Sequence, residues 1–201
     1  MNGLIQSYMQ ADVFGRLIFL SLLFLSIASW SVIIYKCWVF YKINQLKDYY
    51  FKGVQQGITV LQPFTQKGYK VKDPFLPILN ISKITTDKQD DYQDSLDYEI
   101  SHQVEKREDY LFILSTTVTL APFIGLLGTV WGILITCSQL SSSAGGLNQG
   151  ILSGLAMALS TTVVGLVIAI PALIACNYLK DCLRNLYLNL EEYSKLLTDM
   201  C

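Results

Sequence analysis

The sequence predicts an all-α membrane protein with three transmembrane helices. The second and third helices are expected to be long and to extend into the cytoplasm, and a cytoplasmic helical region is expected between the first and the second. From residue 110 to residue 179 the chain has no Lys, Arg, Asp, Glu or His. Within this stretch, the apolar segments 111–140 and 147–179 are each longer, as helices, than the roughly 30 Å hydrocarbon core of a bilayer. A third apolar run, 17–34, is also long enough to span.

Composition supports a membrane protein and excludes several other classes. Hydrophobic residues make up 52% of the 201 residues and charged residues 15%, with a mean hydropathy of +0.38. The net charge of −1 and the lack of basic patches interleaved with aromatic residues exclude nucleic acid as a partner. The five cysteines show no CxxC or Cys/His spacing, so no disulfide framework, metal site or cofactor is expected. No set of nucleophile, base and orienting residue can be assembled, so an enzyme is not expected.

The first span is predicted at 17–40, behind a short segment that contains Asp12 and Arg16. A cleaved signal peptide is the alternative interpretation of this run, and it fits poorly. The apolar run is longer than the usual signal-peptide core of roughly 7–15 residues, and no A-x-A cleavage site follows it. The residues that follow the run are typical of an anchor at the membrane interface: Tyr35, Lys36, Trp38 and Tyr41.

Basic residues indicate the orientation of the chain, because they are enriched on the cytoplasmic side of membrane proteins. They follow the first and third apolar runs, and the connector between the second and third has none: they are Lys36, Lys42, Lys47, Lys52, Lys180 and Arg184. We therefore predict a periplasmic N-terminus and a cytoplasmic C-terminus. The predicted segments are a periplasmic N-terminal segment (1–16), the first transmembrane helix (17–40), a cytoplasmic helical region (41–109), the second transmembrane helix (110–140), a short periplasmic connector (141–148), the third transmembrane helix (149–179) and a cytoplasmic C-terminal helix (180–201).

The cytoplasmic region is expected to contain several helices, with a break at residues 62–77 where three prolines and a glycine occur. Asp73 is placed to cap a short helix at Phe75–Ile84. From residue 91 onward, apolar residues recur at helical spacing, which predicts one helix running from the cytoplasm straight into the second span. These residues are Leu96, Ile100, Val104 and Leu111.

Beyond the third span, apolar residues alternate at spacings of four and three, which is a heptad pattern. They are Leu179, Leu183, Leu186, Leu190, Tyr193 and Leu197. The third helix is therefore predicted to continue into the cytoplasm and to pack on a neighbour there. Packing within the same subunit and packing between subunits fit the pattern equally well.

Small residues recur along one face of each of the two central spans and predict close helix packing. Helices in lipid have no hydrophobic drive to associate, so dense packing and interhelical contacts must hold them together. The predicted packing positions are Gly125, Gly128 and Gly132 in the second span and Gly154, Ala158 and Gly165 in the third.

A short connector makes the two central spans antiparallel, so residues at equal depth can be matched by counting from the turn. This count places Thr129 at the depth of Thr162, and Pro122 near that of Pro171, within about one turn. Proline removes a backbone donor, so Pro122 and Pro171 are predicted to bend their helices. An intramembrane Thr often only bonds the carbonyl four residues before it, but the matched depths favour a functional role for both hydroxyls.

Two sequence stretches resemble the MotA/TolQ/ExbB proton channel family. They are LAPFIGLLGTVWG at 120–132, and GLAMALSTTVVGL at 154–166 followed by AIPA at 169–172. The three-span layout, the large cytoplasmic insertion after the first span and the long third helix match as well, so the resemblance covers most of the chain. The short N-terminal segment and residues 26–34 most resemble the TolQ branch, with the ExbB branch close behind.

The resemblance implies a subunit of a proton channel motor in the bacterial inner membrane. Such a subunit would form a homo-oligomer, typically a pentamer, around a dimer of a single-span TolR/ExbD-like protein with an intramembrane Asp, and a TolA/TonB-like protein is a further candidate partner. Proton flow would energise either Tol-Pal-type envelope maintenance and cell division or TonB-type outer-membrane import. By motif match, Thr129 and Thr162 correspond to the family's pore-lining threonines and form the predicted proton pathway. The second and third spans offer only hydroxyls, so the proton-carrying carboxylate is expected on the partner.

One departure from the family pattern is Met157, where TolQ and ExbB proteins usually have a Glu and MotA-like members do not. A flagellar-type stator subunit therefore remains an alternative function. A nonconducting membrane scaffold, in which Ser and Thr only join helices, is another. A solute transporter fits less well, because the spans have no charged substrate-binding residues and no second set of spans forms an inverted repeat.

Overall fold

The computed structural model describes residues 13–55, 73–84, 89–142 and 149–199, and nearly all of them are α-helical. The helices are α1 (Val13–Gln55), α2 (Phe75–Ile84), α3 (Gln89–Glu108), α4 (Leu111–Ser142) and α5 (Gln149–Asp199). Three segments are long and apolar enough to cross a membrane: Val13–Gly53, Leu111–Ser138 and Gly154–Thr198. The prediction of an all-α fold with three such helices is confirmed for the described part of the chain. Most of the predicted N-terminal segment, of the break before Asp73 and of the periplasmic connector lies outside the described residues.

The chain divides into two compact units, which are described separately. Unit one draws its described residues from the ranges 1–33 and 110–176, and unit two from the ranges 34–109 and 177–201. Unit one therefore contains the first part of α1, all of α4 and the first part of α5. Unit two contains the rest of α1, the helices α2 and α3, and the rest of α5.

The core of unit one is small and apolar. Ile18 and Leu22 of α1 form a buried cluster with Ala121 of α4 and Ala169 of α5. Large apolar side chains on the outer faces of α4 and α5 stay exposed, among them Phe123 on α4. Exposed apolar area on this scale is characteristic of surfaces that contact lipid or another chain.

The core of unit two is built from three aromatic rings. The centroids of Tyr50 and Phe75 lie 5.2 Å apart in a stacked pair, and Tyr193 meets them edge-on at 5.8 Å and 5.4 Å. The α5 residues that lead to this cluster are also buried: Leu179, Leu183, Leu186 and Leu190. The heptad pattern is thus accounted for by packing within one subunit, on a helix that continues without interruption to Asp199.

Asp73 joins the start of α2 to α1. Its Oδ1 accepts a hydrogen bond from the backbone N–H of Phe75 at 3.0 Å, with Pro74 between them, which is the geometry of an N-cap followed by a proline. The prediction that Asp73 caps this helix is therefore confirmed. Its Oδ2 accepts a second bond, from the Tyr50 hydroxyl at 2.5 Å.

Tyr50→Phe is expected to lower the free energy of unfolding by about 1 kcal/mol, because it keeps the buried ring and deletes only the bond to Asp73. Tyr41→Phe is the matched control, since Tyr41 is on the same helix and its side chain is exposed. Thermal unfolding in detergent, followed by circular dichroism, would measure both variants. Equal midpoints for the two variants would contradict a stabilising role for the bond.

The junction between α3 and α4 corrects a prediction. α3 ends at Glu108 and α4 begins at Leu111, so a single helix running into the second span is wrong. Tyr110 has a φ of 69°, in the left-handed region that ends helices. Its carbonyl accepts a hydrogen bond from the Ile113 N–H at 3.1 Å, which starts α4. The apolar spacing predicted continuity because buried positions keep nearly the same period on both sides of so short an interruption.

The C-terminal end of α3 holds two buried cations. Lys36 was predicted to be an interfacial anchor, but its side chain is buried and its Nζ donates to the backbone oxygen of Arg107 at 2.8 Å. A cation at this end of a helix is favoured by the helix dipole and satisfies a carbonyl that lacks an intrahelical donor. Arg107 donates in turn to the backbone oxygen of Gln103 at 2.6 Å and to its side-chain oxygen at 3.0 Å. Burial lowers the pKa of Arg107, and the negative charge of Asp73 partly opposes that effect.

Candidate functional site

The helices α4 and α5 meet along a face that we call the glycine seam. It consists of Gly125, Gly128 and Gly132 on α4 and of Gly154, Ala158 and Gly165 on α5. A Cβ atom added to Gly128, Gly132, Gly154 or Gly165 would lie less than 3.0 Å from an atom on the other helix, closer than real Cβ atoms approach, and one added to Gly125 would lie 3.0 Å from the Thr161 carbonyl oxygen. The two backbones can therefore come this close only because these positions have no side chain.

Two threonines fill the space opposite the glycines. Thr161 is fully buried, donates to the Ala158 carbonyl at 2.8 Å, and has its own Cβ 2.6 Å from where a Cβ on Gly128 would lie. Thr136 is also buried, and its Oγ1 lies 2.6 Å from the Cβ position of Gly154. Sequence reasoning did not single out either residue. The count from the turn that matched Thr129 with Thr162 places Thr161 at the depth of Val130 and Thr136 at the depth of Leu155, each within about one turn of the glycine that it faces.

The two threonines of the predicted proton pathway are half-buried, one on each helix. The Thr162 hydroxyl crosses the seam and donates to the Gly125 carbonyl at 3.1 Å. The Thr129 hydroxyl donates within its own helix, to the Leu126 carbonyl at 2.6 Å. Thr162 thus lies opposite Gly125, about one helical turn from Thr129, which is the uncertainty of the predicted depth match. Each hydroxyl oxygen still has lone pairs with which to accept a hydrogen bond.

The predicted bend positions lie inside continuous helices. Pro122 is within α4 and Pro171 is within α5, and both helices continue past them. Each proline lacks the N–H that would bond to the carbonyl four residues earlier, so that carbonyl needs another donor. Bending at these two positions stays a prediction.

Met157 lies in the interior of unit one, with 5% of its surface exposed. An ionised Glu at this position would be desolvated, so it would have to be neutral or paired. In the same unit, the indole of Trp131 packs on the ring of Phe14 at 4.3 Å between centroids. The buried Nε1 of Trp131 has no hydrogen-bond partner among the described residues.

The α4 and α5 parts of unit one lack side chains that carry a charge at neutral pH. Residues 110–179 include no Lys, Arg, Asp, Glu or His. Within the ranges that the structure describes, no group of three or more His, Cys, Asp or Glu side chains is placed to hold a metal ion. Hydroxyls can donate and accept hydrogen bonds, but they do not carry a charge across a membrane by themselves.

Comparison with known proteins assigns the family. Residues 55–192, more than half of the chain, match the family described as MotA/TolQ/ExbB proton channel family. The chain belongs to this family. The resemblance seen in the sequence is therefore confirmed, and the MotA/TolQ/ExbB family is one of channels and not of enzymes. Family membership and the three apolar helices together indicate a multi-pass inner-membrane protein.

Some of the proteins similar to this chain are named TolQ and others are named ExbB. A putative biopolymer transport protein ExbB-like 2 of Helicobacter pylori is 42% identical over 90 residues, 45% of this chain and 57% of that protein. The Tol-Pal system protein TolQ of Haemophilus influenzae is 39% identical over 80 residues, 40% of this chain and 35% of that protein. The biopolymer transport protein ExbB of Aquifex aeolicus is 44% identical over 69 residues, 34% of this chain and 47% of that protein. The chain thus spans between about a third and somewhat over half of these relatives' lengths.

Proposed function

We propose that this MotA/TolQ/ExbB family member is a subunit of an inner-membrane proton channel motor whose proton-carrying carboxylate is supplied by a single-span partner. The observation that carries the proposal is the composition of the α4 and α5 pair. Its seam is closed by glycines, and its stretch 110–179 has no Lys, Arg, Asp, Glu or His side chain to carry a proton. A proton crosses a bilayer on a titratable carrier or along a water chain, and a carrier for this proton would have to come from another chain.

The role proposed for Thr129 and Thr162 is to hold that carboxylate. Both hydroxyls have carbonyl partners, to which they donate at 2.6 Å and 3.1 Å. When a partner Asp approaches, either hydroxyl can rotate and donate to its ionised form, which favours the charge, while the surrounding apolar helices disfavour it. These opposing effects bring the pKa of the Asp into a range where it can both take up and release a proton. Each charge that crosses the membrane potential is worth about 2.3 kcal/mol per 100 mV.

The proposed assembly is a homo-oligomer, a pentamer in the family pattern, around a dimer of a TolR/ExbD-like protein. The exposed apolar faces of α4 and α5 in a single chain support contacts of this kind. We propose a periplasmic N-terminus, a cytoplasmic C-terminus and a cytoplasmic location for α2 and α3. The energised process would be Tol-Pal-type envelope maintenance or TonB-type import, since the similar proteins are named for a Tol-Pal system and for biopolymer transport.

Proton uptake into vesicles tests this function. The vesicles would hold the chain alone, or the chain with the small single-span protein that co-purifies with it in mild detergent. Uptake is expected only with the partner. A Thr129→Val, Thr162→Val double variant keeps side-chain shape and deletes both hydroxyls, so its uptake is expected to fall roughly tenfold or more, the loss of about one hydrogen bond to a charged group.

The controls separate hydroxyl chemistry from assembly. Thr→Ser at both positions should retain much of the uptake, because the hydroxyls remain. Thr119→Val is the matched control on α4, since Thr119 is exposed and donates within its own helix, to the Ser115 carbonyl at 3.1 Å. Conduction by the chain alone, or full conduction by the double variant, would overturn the proposal. A chain that co-purifies with its partner but conducts nothing would support the scaffold alternative.

A further inference from the structure

Two neighbouring hydroxyls of α5 reach the same backbone carbonyl of α4. The Thr162 hydroxyl donates to the Gly125 oxygen at 3.1 Å, and the Thr161 Oγ1 lies 3.4 Å from that oxygen. The Thr161 hydroxyl also has an acceptor within its own helix, the Ala158 carbonyl, at the shorter distance of 2.8 Å. The proton pathway proposed above uses Thr162 and gives Thr161 no role beyond packing.

The Thr161 hydroxyl is placed between two acceptors but can serve only one of them at a time, because a hydroxyl has a single hydrogen. The shorter distance favours the Ala158 carbonyl while Thr162 donates to Gly125. The 3.4 Å distance to the Gly125 oxygen is longer than an ordinary O–H···O bond. A turn of the O–H bond and a movement of about 0.5 Å would make it an ordinary one. Thr161 can therefore change acceptors without changing its side-chain rotamer.

The packing of the glycine seam keeps the Thr161 oxygen beside the Gly125 carbonyl. Thr161 is fully buried, and its Oγ1 occupies the space that a side chain at Gly128 would take. Thr162 is only half-buried, so its hydroxyl can turn toward another chain. The two threonines thus differ in reach: Thr162 can leave the Gly125 carbonyl, whereas Thr161 stays next to it.

The Gly125 carbonyl loses a donor when the Thr162 hydroxyl turns away. α4 is continuous from Leu111 to Ser142, so its own hydrogen-bond ladder supplies one donor to this carbonyl. A carbonyl oxygen has two lone pairs, and the second is the one that a side-chain donor uses. Solvent does not replace a donor lost between packed helices in a bilayer. Any movement of Thr162 toward a partner is therefore disfavoured unless another donor takes its place.

We propose that Thr161 is a positioning residue for proton transfer, which takes over the Gly125 carbonyl when the Thr162 hydroxyl turns to the carboxylate of the single-span partner. This donor exchange rests on the proposed function, because it requires that Thr162 donates to that carboxylate. It keeps α4 and α5 hydrogen-bonded to each other in both positions of the Thr162 hydroxyl. The Ala158 carbonyl, which Thr161 gives up, keeps its donor in the continuous ladder of α5.

Proton uptake into vesicles that hold the chain with its co-purified partner tests the donor exchange. Thr161→Val keeps the shape of the side chain and deletes the hydroxyl, so the initial rate of uptake is expected to fall roughly three- to tenfold, the loss of about one neutral hydrogen bond. Thr161→Ser keeps the hydroxyl and should restore most of the rate. Thr161→Ala also lacks the hydroxyl, cannot overpack the seam, and should lose uptake like Thr161→Val.

Thr136→Val is the matched control. Thr136 is also buried in the glycine seam, but its hydroxyl donates within its own helix, to the Gly132 carbonyl at 2.7 Å. The substitution removes a buried hydroxyl from the seam and leaves the Gly125 carbonyl unchanged. Its rate of uptake should equal that of wild type, and the complex should keep its size on native gels in this variant and in the Thr161 variants.

A double variant separates donor exchange from a packing defect. In Thr162→Val no hydroxyl turns away from Gly125, so adding Thr161→Val should not lower the remaining uptake any further. Independent packing defects would instead multiply the two losses.

The possible results distinguish the donor exchange from the proposed function. Wild-type uptake by Thr161→Val, multiplied losses in the double variant, or an equal loss in Thr136→Val would each overturn the exchange and leave the proposed function standing. Loss of the complex in both Thr161→Val and Thr161→Ala would show a structural role and would also overturn the exchange. Absence of uptake by the wild-type chain with its partner would overturn the proposed function, and the exchange with it.

Discussion

Gly128→Leu is expected to separate α4 from α5 and to abolish the oligomer. The first added atom, Cβ, would already lie 2.6 Å from the Cβ of Thr161, which is fully buried. Overpacking of this kind costs about 1–3 kcal/mol or more in well-packed cores. In lipid no hydrophobic drive compensates for the lost contact, so the helices should part. Native gels in mild detergent would show smaller species, and the thermal unfolding midpoint should fall.

The matched control inserts the same side chain on a face that has room. Ala156→Leu changes a small residue of α5 that is exposed in the single chain. If its position faces lipid, it should keep both the oligomer and the unfolding midpoint. A Gly128→Leu protein with wild-type complex size and unfolding midpoint would show that the seam tolerates side chains, and our assignment of its packing would be wrong.

Tyr193→Ala is expected to destabilise unit two by about 3–5 kcal/mol, the usual range when a large buried aromatic residue is cut back to alanine. The Tyr193 side chain is 1% exposed, and its ring contacts those of Tyr50, Phe51 and Phe75 at 5.8, 6.1 and 5.4 Å between centroids. Removing the ring leaves a cavity and deletes the edge-on pairs, each worth about 0.5–1.5 kcal/mol beyond burial. Urea unfolding in detergent, followed by tyrosine fluorescence and circular dichroism, would measure the change.

Tyr187→Ala is the control on the same helix. Its ring is 39% exposed and lies outside the buried face, so the loss should be within about 0.5 kcal/mol, as for most surface changes. Similar losses in the two variants would mean that the aromatic cluster does not stabilise unit two more than an exposed ring does.

The three long helices could be predicted because their signal needs only composition and length. An uninterrupted apolar run indicates a span whatever it packs against. The cap at Asp73 could also be predicted from the sequence, since an N-cap depends on a side chain and a backbone N–H two residues away. The heptad pattern predicted a packed helix for the same reason, because its period is local. It left open the partner of the helix, which the structure places within the same chain.

The junction and the buried polar groups could not be predicted in this way. No residue type marks Tyr110 as left-handed, since tyrosine rarely adopts that conformation and glycine or asparagine would be the usual signal. The apolar residues at helical spacing include Val104, which is only half-buried, whereas the structure buries the polar Gln103 and Arg107 of the same helix. Those polar groups can be buried because they are hydrogen-bonded to each other. The Arg107 carbonyl also accepts a hydrogen bond from Lys36, which is on another helix. A pattern of hydrophobic residues contains no information about such partners.

For the candidate site, motif and depth selected Thr129 and Thr162, while Thr161 and Thr136 were missed. A threonine that fills the space opposite a glycine has the same sequence signature as one that faces lipid. A threonine packed opposite a glycine differs from one that faces lipid only in the distance to the other helix backbone. That distance depends on the angle and position at which α4 and α5 cross.

The left-handed Tyr110 also determines how far local unfolding can spread. A helix frays from its ends, and the interruption gives α3 and α4 separate backbone hydrogen-bond ladders, with separate ends. The last carbonyls of α3 therefore depend on outside donors, and Lys36 supplies one of them. α3 can therefore unwind from this end while the first turn of α4 keeps its bonds. Because the membrane helix α4 starts its own hydrogen-bond ladder at Leu111, unwinding of α3 does not break the first hydrogen bonds of α4.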